Sequence, residues 1–144
     1  LYKKTNLTVD DIDYFGLYDC FPICFVRAVD AVGLHKKKKL WTKQMKSDLK
    51  YTESAGKWIE GIYELSKSQG NFLHPFQFPV NTHGGLLCFG APWEVPALFN
   101  VIEAAKQLRG IARKRQIPFP KRALIYGNGG ILSASSIVLL EIEN

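Results

Sequence analysis

The sequence lacks the long apolar runs and the leader that would mark a membrane or secreted protein. No apolar run approaches the roughly 20 residues that a membrane-spanning helix needs. No basic stretch followed by an apolar one opens the chain, and the first residue is Leu1 rather than Met, so we expect neither a signal peptide nor an intact start. The sequence therefore predicts part of a longer polypeptide without a membrane span.

Cysteine is also scarce. Cys20, Cys24 and Cys88 are an odd number without a C-x-x-C spacing, which argues against a disulfide framework and against a zinc site. Cys20 and Cys24 are four residues apart, which on a helix places them on the same face but too far apart for a tight disulfide. We therefore expect buried thiols in a reducing compartment, no bound metal and a cytoplasmic location.

Two segments contain almost no acidic residue. Residues 34–50 hold seven lysines and the single acid Asp48, and residues 106–122 hold seven basic residues and no acid. Such segments attract phosphate, whether in nucleic acid or in a nucleotide-bearing cofactor. Neither carries a zinc-finger, RRM or KH signature, so we expect solvated faces and no nucleic-acid partner.

The remaining composition is that of a globular protein. With 47% hydrophobic and 22% charged residues, a chain of 144 residues is long enough for one domain and too short for two ordinary ones. We therefore assign residues 1–144 to one domain. Residues 34–75 are interpreted as a variable insertion, basic at first and then an amphipathic helix near Gly56 to Lys67.

Strands and helices alternate along the rest of the chain. An aromatic-rich stretch over residues 12–18 predicts a strand, and Asp19 is the predicted N-cap of an amphipathic helix that runs to Gly33. A second helix carries an apolar stripe and ends at Gly110. The members of that stripe are Val95, Leu98, Ile102, Ala105 and Leu108.

Residues 122–126 and 133–141 predict two further strands, joined by a hairpin turn with Asn128-Gly129 as its signal. This order of elements predicts an α/β fold with a mixed β-sheet covered by helices and ending in a β-hairpin. The residues that could carry out chemistry gather at three corners between strands and helices, which we call glycine-marked: residues 18–21, 81–92 and 126–130.

Taken in chain order, these segments resemble the C-terminal half of the thiolase superfamily, and most specifically the thiolase-like proteins related to sterol carrier protein thiolases. Four anchors carry the resemblance. They are Asp11-Ile12-Asp13 followed by Tyr18-Asp19-Cys20-Phe21; Asn81-Thr82-His83-Gly84-Gly85-Leu86-Leu87 with Gly90-Ala91-Pro92; Gln107-Leu108-Arg109-Gly110; and Gly127-Asn128-Gly129-Gly130.

The resemblance implies a protein of two similar halves with the active site between them, of which this chain supplies the second. In such enzymes a cysteine of the first half is acylated by an acyl-CoA, and groups of the second half hold the thioester oxygen and move protons. The implied substrate is a coenzyme A thioester, with no covalently bound cofactor. The implied partners are the missing N-terminal half and a second copy in a homodimer. Some thiolase-like proteins that cleave carbon–carbon bonds also act with a small OB-fold protein, which is a further implied partner.

The chain departs from the thiolase pattern at three positions. Tyr18 stands where thiolases carry an asparagine or a histidine, Ala91 replaces the histidine of a Gly-His-Pro triplet, and Tyr126 replaces the acid/base cysteine. A tyrosyl hydroxyl can donate to an oxyanion, whereas alanine can neither accept nor donate a proton. We therefore expect catalytic roles for Tyr18 and Tyr126, with His83 compensating for the lost histidine; the alternative for His83 is a turn residue bonded to a backbone carbonyl.

The expected substrate-binding residues are those of the two glycine-rich corners, and we expect all three corners to converge on one edge of the sheet. The set comprises Asn81, Gly84, Gly85, Gly90, Ala91, Gly129 and Gly130. Three functions remain open for such a chain: acyl transfer, retro-aldol cleavage of an acyl-CoA, and non-catalytic binding of an acyl-CoA or lipid. A nucleophilic cysteine in the first half would favour acyl transfer.

Overall fold

The computed structural model describes residues 1–38, 54–92, 95–130 and 133–143. Its helices are α1 (Tyr2–Thr5), α2 (Pro22–Ala31), α3 (Ala55–Ser68), α4 (Gly85–Phe89) and α5 (Val95–Leu108), with 3-10 turns at Val9–Asp11, Leu34–Lys36 and Arg113–Arg115. Its strands are β1 (Tyr14–Leu17), β2 (Arg122–Gly129) and β3 (Ala134–Glu141). Within these residues, no helix has the length and apolar character needed to cross a membrane.

The three strands form one mixed sheet in the order β1-β2-β3, which confirms the predicted fold class. β1 and β2 are parallel, whereas β2 and β3 form an antiparallel hairpin. On the other edge of β1, Phe15 makes an isolated parallel bridge with Val80. The segment before the second glycine-rich corner is therefore held beside β1.

The sheet lies between two helical layers because successive strand side chains point to opposite faces. On one face, Phe15 and Leu124 pack in the larger core with residues of α2 and α3. On the other face, Tyr14 and Ile125 pack in a smaller core with Ala104 of α5. The architecture is a three-layer α/β/α sandwich.

Helix α3 confirms the helix predicted for residues 56–67. The Ser54 hydroxyl caps it by accepting a hydrogen bond from the Lys57 amide at 3.4 Å. Trp58, Ile62 and Leu65 are buried in the larger core, so this part of the segment interpreted as an insertion contributes to the core. Residues 39–53, with most of the first lysine-rich segment, lie outside the described residues.

Helix α5 has the predicted position, but only Leu108 of its predicted stripe packs against the smaller core, whereas Val95, Leu98 and Ile102 are exposed. Leu98 and Ile102 are 55% and 42% exposed. The face that lies on the sheet is largely polar, with Asn100, Glu103 and Gln107 all buried. The helix therefore packs both polar and apolar side chains on the sheet, with Ala104, Val101 and Leu108 in the smaller core, and also presents apolar side chains outward, where a surface helix usually has polar ones.

A buried polar network explains this orientation. The Glu103 carboxylate accepts hydrogen bonds from Arg115 Nε at 3.0 Å and Nη2 at 2.9 Å, and from the Thr82 hydroxyl at 2.8 Å. Burial alone would raise the pKa of Glu103, but the hydrogen bonds from Arg115 and Thr82 outweigh it and lower the pKa below its ordinary range. Gln107 adds bonds to the Ile117 amide and the Arg115 carbonyl. The polar face of α5 is thus tied to the chain that leads into β2.

Two local predictions are wrong. Asp19 does not cap α2, which begins after Phe21 with no side-chain cap bond. The Asn128-Gly129 pair does not form the hairpin turn, because both residues continue β2 and pair with Ser135 and Ala134. A hydrogen bond from Ser135 Oγ to Asn128 Oδ1 at 2.7 Å supports this longer pairing.

Gly16 tests how closely α5 packs on β1. A Cβ at Gly16 would lie 3.0 Å from the Cβ of Asn100, so Gly16→Ala should lower the free energy of unfolding by about 1–3 kcal/mol. Gly56→Ala is the matched control, since Gly56 is helical and has open space around it; it should raise stability by up to about 1 kcal/mol. Urea denaturation measures both, and equal effects would contradict the close packing.

Candidate functional site

Asn81 joins the second corner to the end of β1. Its Oδ1 accepts a hydrogen bond from the Leu17 amide at 2.7 Å, and its Nδ2 donates to the Leu17 carbonyl at 2.8 Å. Its own backbone amide donates to the Phe15 carbonyl at 3.0 Å. The side chain thus continues the pairing beyond β1 as a neighbouring strand would. Substrate binding by Asn81 stays a prediction, and both ends of its amide already have partners.

The first and third corners are also joined. The Tyr18 amide donates to the Tyr126 carbonyl at 3.0 Å, directly after the paired residues Leu17 and Tyr126. The Tyr126 side chain is 8% exposed in the larger core, and its hydroxyl lies 3.1 Å from Ser135 Oγ. Tyr126 therefore has packing and hydrogen-bonding partners, and its proposed part in proton transfer stays a prediction.

Tyr18 is partly exposed at the end of β1, with its hydroxyl in a thiol-rich setting. Desolvation and a hydrogen bond with Cys20 raise the pKa of Tyr18 above its ordinary value. The hydroxyl is therefore protonated at neutral pH, since the unperturbed pKa is already about 10. In that form it can donate a hydrogen bond to an oxyanion and is a poor base.

Cys20 and Cys24 are both free, with sulfur atoms 3.4 Å apart. They are closer than expected for two residues on one helix, because Cys20 precedes α2 and only Cys24 belongs to it. Cys24 is buried as predicted, whereas Cys20 is partly exposed and Cys88 is exposed. Burial and the hydrogen bond with Cys20 raise the pKa of the Cys24 thiol.

Asp19 connects the first corner to the glycine pair of the second. Its carboxylate, 3% exposed, accepts a hydrogen bond from the Leu86 amide at 2.8 Å. A Cβ at Gly85 would overlap that carboxylate, and Gly85 has a φ of +66°. Gly84, with a φ of +108°, would place a Cβ 2.9 Å from the Cβ of Cys88. Both glycines are thus required by the backbone, whether or not a substrate contacts them.

His83 borders a cavity of about 490 Å³ between the second corner and α5. Its ring lies 5.2 Å from that of Phe89, and both ring nitrogens are buried without a hydrogen-bond partner in the described part of the chain. The backbone-carbonyl alternative for His83 therefore has no supporting contact. The cavity is lined by His83, Phe89, Pro92, Phe99, Ile102, Glu103, Lys106 and Arg115.

The protonation state of His83 follows from its surroundings. Burial lowers the pKa of His83 below its ordinary value, and the carboxylates of Glu103 and Asp19 offset part of that effect. Lys106 and Arg115 lower it further. The imidazole is therefore neutral at pH 7 and can accept a proton.

Other predicted site residues are less closely connected. Gly90 and Ala91 are exposed. Within the residues that the structure describes, no hydrogen bond joins Ala91 to the first or third corner. Gly129 pairs with Ala134, and Gly130 has a φ of +59°. The structure thus joins Tyr18 to Tyr126, and Asn81 to Leu17 beside Tyr18. Neither tyrosine lines the cavity at His83, so the convergence of His83 and Ala91 with them stays a prediction.

Sequence reasoning missed three contributors to this region. The Asp19 carboxylate joins two corners through its hydrogen bond with the Leu86 amide. Ser135 is the hydrogen-bond partner of the Tyr126 hydroxyl, and Glu103 with Arg115 lines the cavity. The spacing of Glu103 and Gln107, four residues apart on a helix, was a usable signal for a polar face. The sequence contains no such signal for Ser135, since an alternating strand pattern does not reveal which residues face each other across two strands.

Comparison with known proteins identifies similar sequences. The family model described as thiolase C-terminal domain-like matches residues 66–142. The chain is 32% identical to sterol carrier protein 2 of Homo sapiens over 141 residues. The aligned region covers 98% of this chain and 21% of that protein. It is 28% identical over 129 residues to an acetyl-CoA acetyltransferase of Methanothermobacter thermautotrophicus, covering 90% of this chain and 28% of that protein.

A third relative is the non-specific lipid-transfer protein-like 2 of Caenorhabditis elegans. The identity is 27% over 129 residues, covering 90% of this chain and 26% of that protein. The chain thus spans only between about a fifth and somewhat more than a quarter of the length of these three relatives.

The charges around His83 make its titration a test of the cavity. Glu103→Gln removes a carboxylate that raises the pKa of His83, so the pKa should fall further. Lys106→Gln removes an exposed cation that lowers it, so the pKa should rise. NMR titration of the imidazole Cε1 proton measures both, with His83→Gln to assign the signal. Equal pKa values in the two variants would show that these charges do not act on His83.

Proposed function

Because the chain belongs to the thiolase C-terminal domain-like family, we propose that it is the C-terminal domain of an enzyme that acts on an acyl-CoA thioester. The observation that carries the proposal is the junction at the end of β1. There the Asn81 side chain binds the backbone of Leu17, and the Tyr18 amide donates to the Tyr126 carbonyl. The second corner is thus joined to the end of β1, and the first corner to β2, the strand that leads into the third. Each corner supplies a residue that differs from the thiolase pattern.

The residues at these positions favour carbon–carbon bond cleavage by a retro-aldol route. Ala91 cannot activate a nucleophile as the histidine of thiolases does. Tyr18 is protonated and suited to donate a hydrogen bond to an enolate oxygen, and His83 is neutral and suited to accept a proton. A retro-aldol step needs these two roles and no histidine-activated acyl transfer.

In the proposed step the substrate is a 3-hydroxyacyl-CoA. His83 takes the proton of the 3-hydroxyl group, the bond between C2 and C3 breaks, and C3 becomes a carbonyl carbon. The electron pair of the broken bond moves onto the thioester as an enolate, whose oxygen accepts a hydrogen bond from Tyr18. The proton then returns to C2, directly or through Tyr126, and the products are a carbonyl compound and a shorter acyl-CoA.

Two other functions have a specific basis. The acetyltransferase relative is named for acyl transfer, which would need a nucleophilic cysteine from the N-terminal half. The lipid-transfer relative is named for a carrier, which would keep the cavity beside His83 without chemistry. An OB-fold partner and a homodimer belong to the same proposal.

The test is product analysis with the intact protein and three substrates. Retro-aldol activity converts a branched 3-hydroxyacyl-CoA into a ketone and a shorter acyl-CoA, seen by mass spectrometry. Acyl transfer instead gives acetyl exchange between acetyl-CoA and labelled coenzyme A. Binding of a long-chain acyl-CoA with neither reaction would identify a carrier and overturn the enzyme proposal.

The N-terminal half would cover the apolar stripe of α5. Leu98 is 55% exposed, Ile102 is 42% exposed and Val95 is 40% exposed on one side of that helix. A stripe of this kind on a helix normally faces a partner surface. The resemblance places the active site between two halves, and the stripe flanks the cavity at His83 through Ile102. A half that docks here would close the cavity.

A paired substitution tests this docking. Leu98→Gln with Ile102→Gln should change the unfolding free energy of the 144-residue chain by no more than about 0.5 kcal/mol per site, since both are exposed. In the intact protein the same pair should cost about 3 kcal/mol or more, because two buried apolar side chains are lost. Tyr63→Gln on α3, 57% exposed, is the control. Equally small losses of unfolding free energy in the 144-residue chain and in the intact protein would show that the stripe is exposed to solvent in both.

Tyr126→Phe separates chemistry from packing. Its ring volume is unchanged, so folding should be preserved apart from about 1 kcal/mol for the hydrogen bond with Ser135. If the hydroxyl moves a proton, turnover by the intact protein should fall about a hundredfold or more. Unchanged turnover would assign Tyr126 to packing alone.

Ala91→His is the companion variant. In a retro-aldol enzyme the added imidazole should not create acetyl transfer, because the rest of the acyl-transfer machinery has changed. Acetyl transfer that increases in Ala91→His, with no effect of Tyr126→Phe, would identify a thiolase that lost one residue and would overturn the tyrosine mechanism.

A further inference from the structure

Basic and apolar side chains share one surface just before β2, which we call the basic tip. Phe119 is 95% exposed and Ile111 is 58% exposed on this surface. The informative feature is that these two apolar side chains stand among cations on one surface. The basic tip consists of Lys106, Arg109, Ile111, Arg113, Lys114, Phe119 and Lys121.

These residues lie on one continuous surface. Arg109, Phe119 and Lys121 line one shallow concavity. Lys106, Ile111 and Arg113 line a second. Gly110 borders both concavities, so the two sets adjoin. Lys114 follows Arg113 in the same 3-10 turn.

The positive charge of the basic tip is not neutralised within the described residues. Of the seven basic residues in 106–122, Arg115 pairs with Glu103 and Arg122 pairs with Glu141. The other five make no ion pair with any residue that the structure describes. Two acids border the surface: Asp13, whose carboxylate accepts the Lys121 and Arg122 amides, and the exposed Glu143. Five cations therefore face solvent with little compensation.

The backbone holds Phe119 outward. Its φ is +46°, a left-handed conformation that non-glycine residues adopt rarely, and Pro118 and Pro120 flank it. Pro120 is buried, which anchors the projecting residue. A phenylalanine held outward in this way can contact a partner surface without first rearranging.

The basic tip extends away from the candidate site. Phe119 and Lys121 precede Arg122, at the start of β2, whereas the first and third corners meet at Tyr126 on the same strand. From Arg122 to Tyr126 a strand extends roughly 13 Å. On the side of Ile111 the two regions adjoin, because Lys106 and Arg115 border both the concavity there and the cavity at His83.

We propose that the basic tip binds the surface of an anionic lipid bilayer. Lys and Arg side chains would contact lipid phosphates and carboxylates, while Phe119 and Ile111 enter the interfacial region. A nucleic acid would also attract the cations, and its bases could stack on Phe119. An aliphatic residue such as Ile111 has no such stacking role, whereas a bilayer accommodates both apolar side chains. The inference does not depend on the proposed reaction.

Vesicle co-sedimentation of the intact protein tests the proposal. The protein should bind equimolar phosphatidylcholine–phosphatidylserine vesicles, bind phosphatidylcholine vesicles far more weakly, and dissociate as ionic strength rises. Lys114→Gln with Lys121→Gln should weaken binding roughly fivefold for each charge removed. Phe119→Ser should weaken it about tenfold.

Matched variants make the result specific. Lys3→Gln with Lys4→Gln removes two exposed charges of α1, and Phe72→Ser removes a phenylalanine that is 57% exposed elsewhere. Neither should change vesicle binding. No binding to anionic vesicles, or equal losses in these controls, would overturn the proposal. So would an oligonucleotide that binds more tightly than the vesicles and depends on Lys114 and Lys121.

Discussion

The buried contact between Glu103 and Arg115 determines how the layers of this domain are arranged. A carboxylate that is 3% exposed needs a cation and hydrogen-bond donors. Arg115, Thr82 and Gln107 supply them. Because these groups lie beside the sheet, α5 must turn its polar face inward. Its apolar stripe consequently faces outward, where a second structural half could cover it.

The same network positions the candidate site. Thr82, one of the donors to Glu103, lies between Asn81 and His83 in the chain. Asn81 holds the end of β1, and His83 faces the cavity against α5. A change in the Glu103 network would therefore reach both the strand end and the imidazole. Stability and site geometry are coupled through three consecutive residues.

The sequence predicted the elements well where a local pattern dominates. The α3 stripe of Trp58, Ile62 and Leu65 and the glycine that follows α5 needed no tertiary information. The inward face of α5 could not be predicted, because hydrophobic periodicity assumes that the apolar side is buried within the same chain. In α5 the buried polar network competes with that assumption.

Local signals also failed where a distant residue competed. Asp19 is a good capping residue, yet its carboxylate binds the Leu86 amide, 67 positions away in sequence. Asn128-Gly129 is a good turn signal, yet cross-strand pairing with Ser135 extends β2 through it. The closeness of Cys20 and Cys24 depends on where α2 begins. For Asp19 and for Asn128-Gly129, a contact outside the local motif outweighed a preference that the sequence alone expresses.

The candidate site residues fall into two physical groups. Asn81, Gly84, Gly85 and Asp19 all have backbone-holding contacts or steric constraints, so the fold requires them with or without a ligand. His83 is different, because its ring borders the cavity and its buried ring nitrogens have no hydrogen-bond partner among the described residues. The backbone therefore accounts for the first group, whereas His83 is the polar group that a ligand in the cavity would meet.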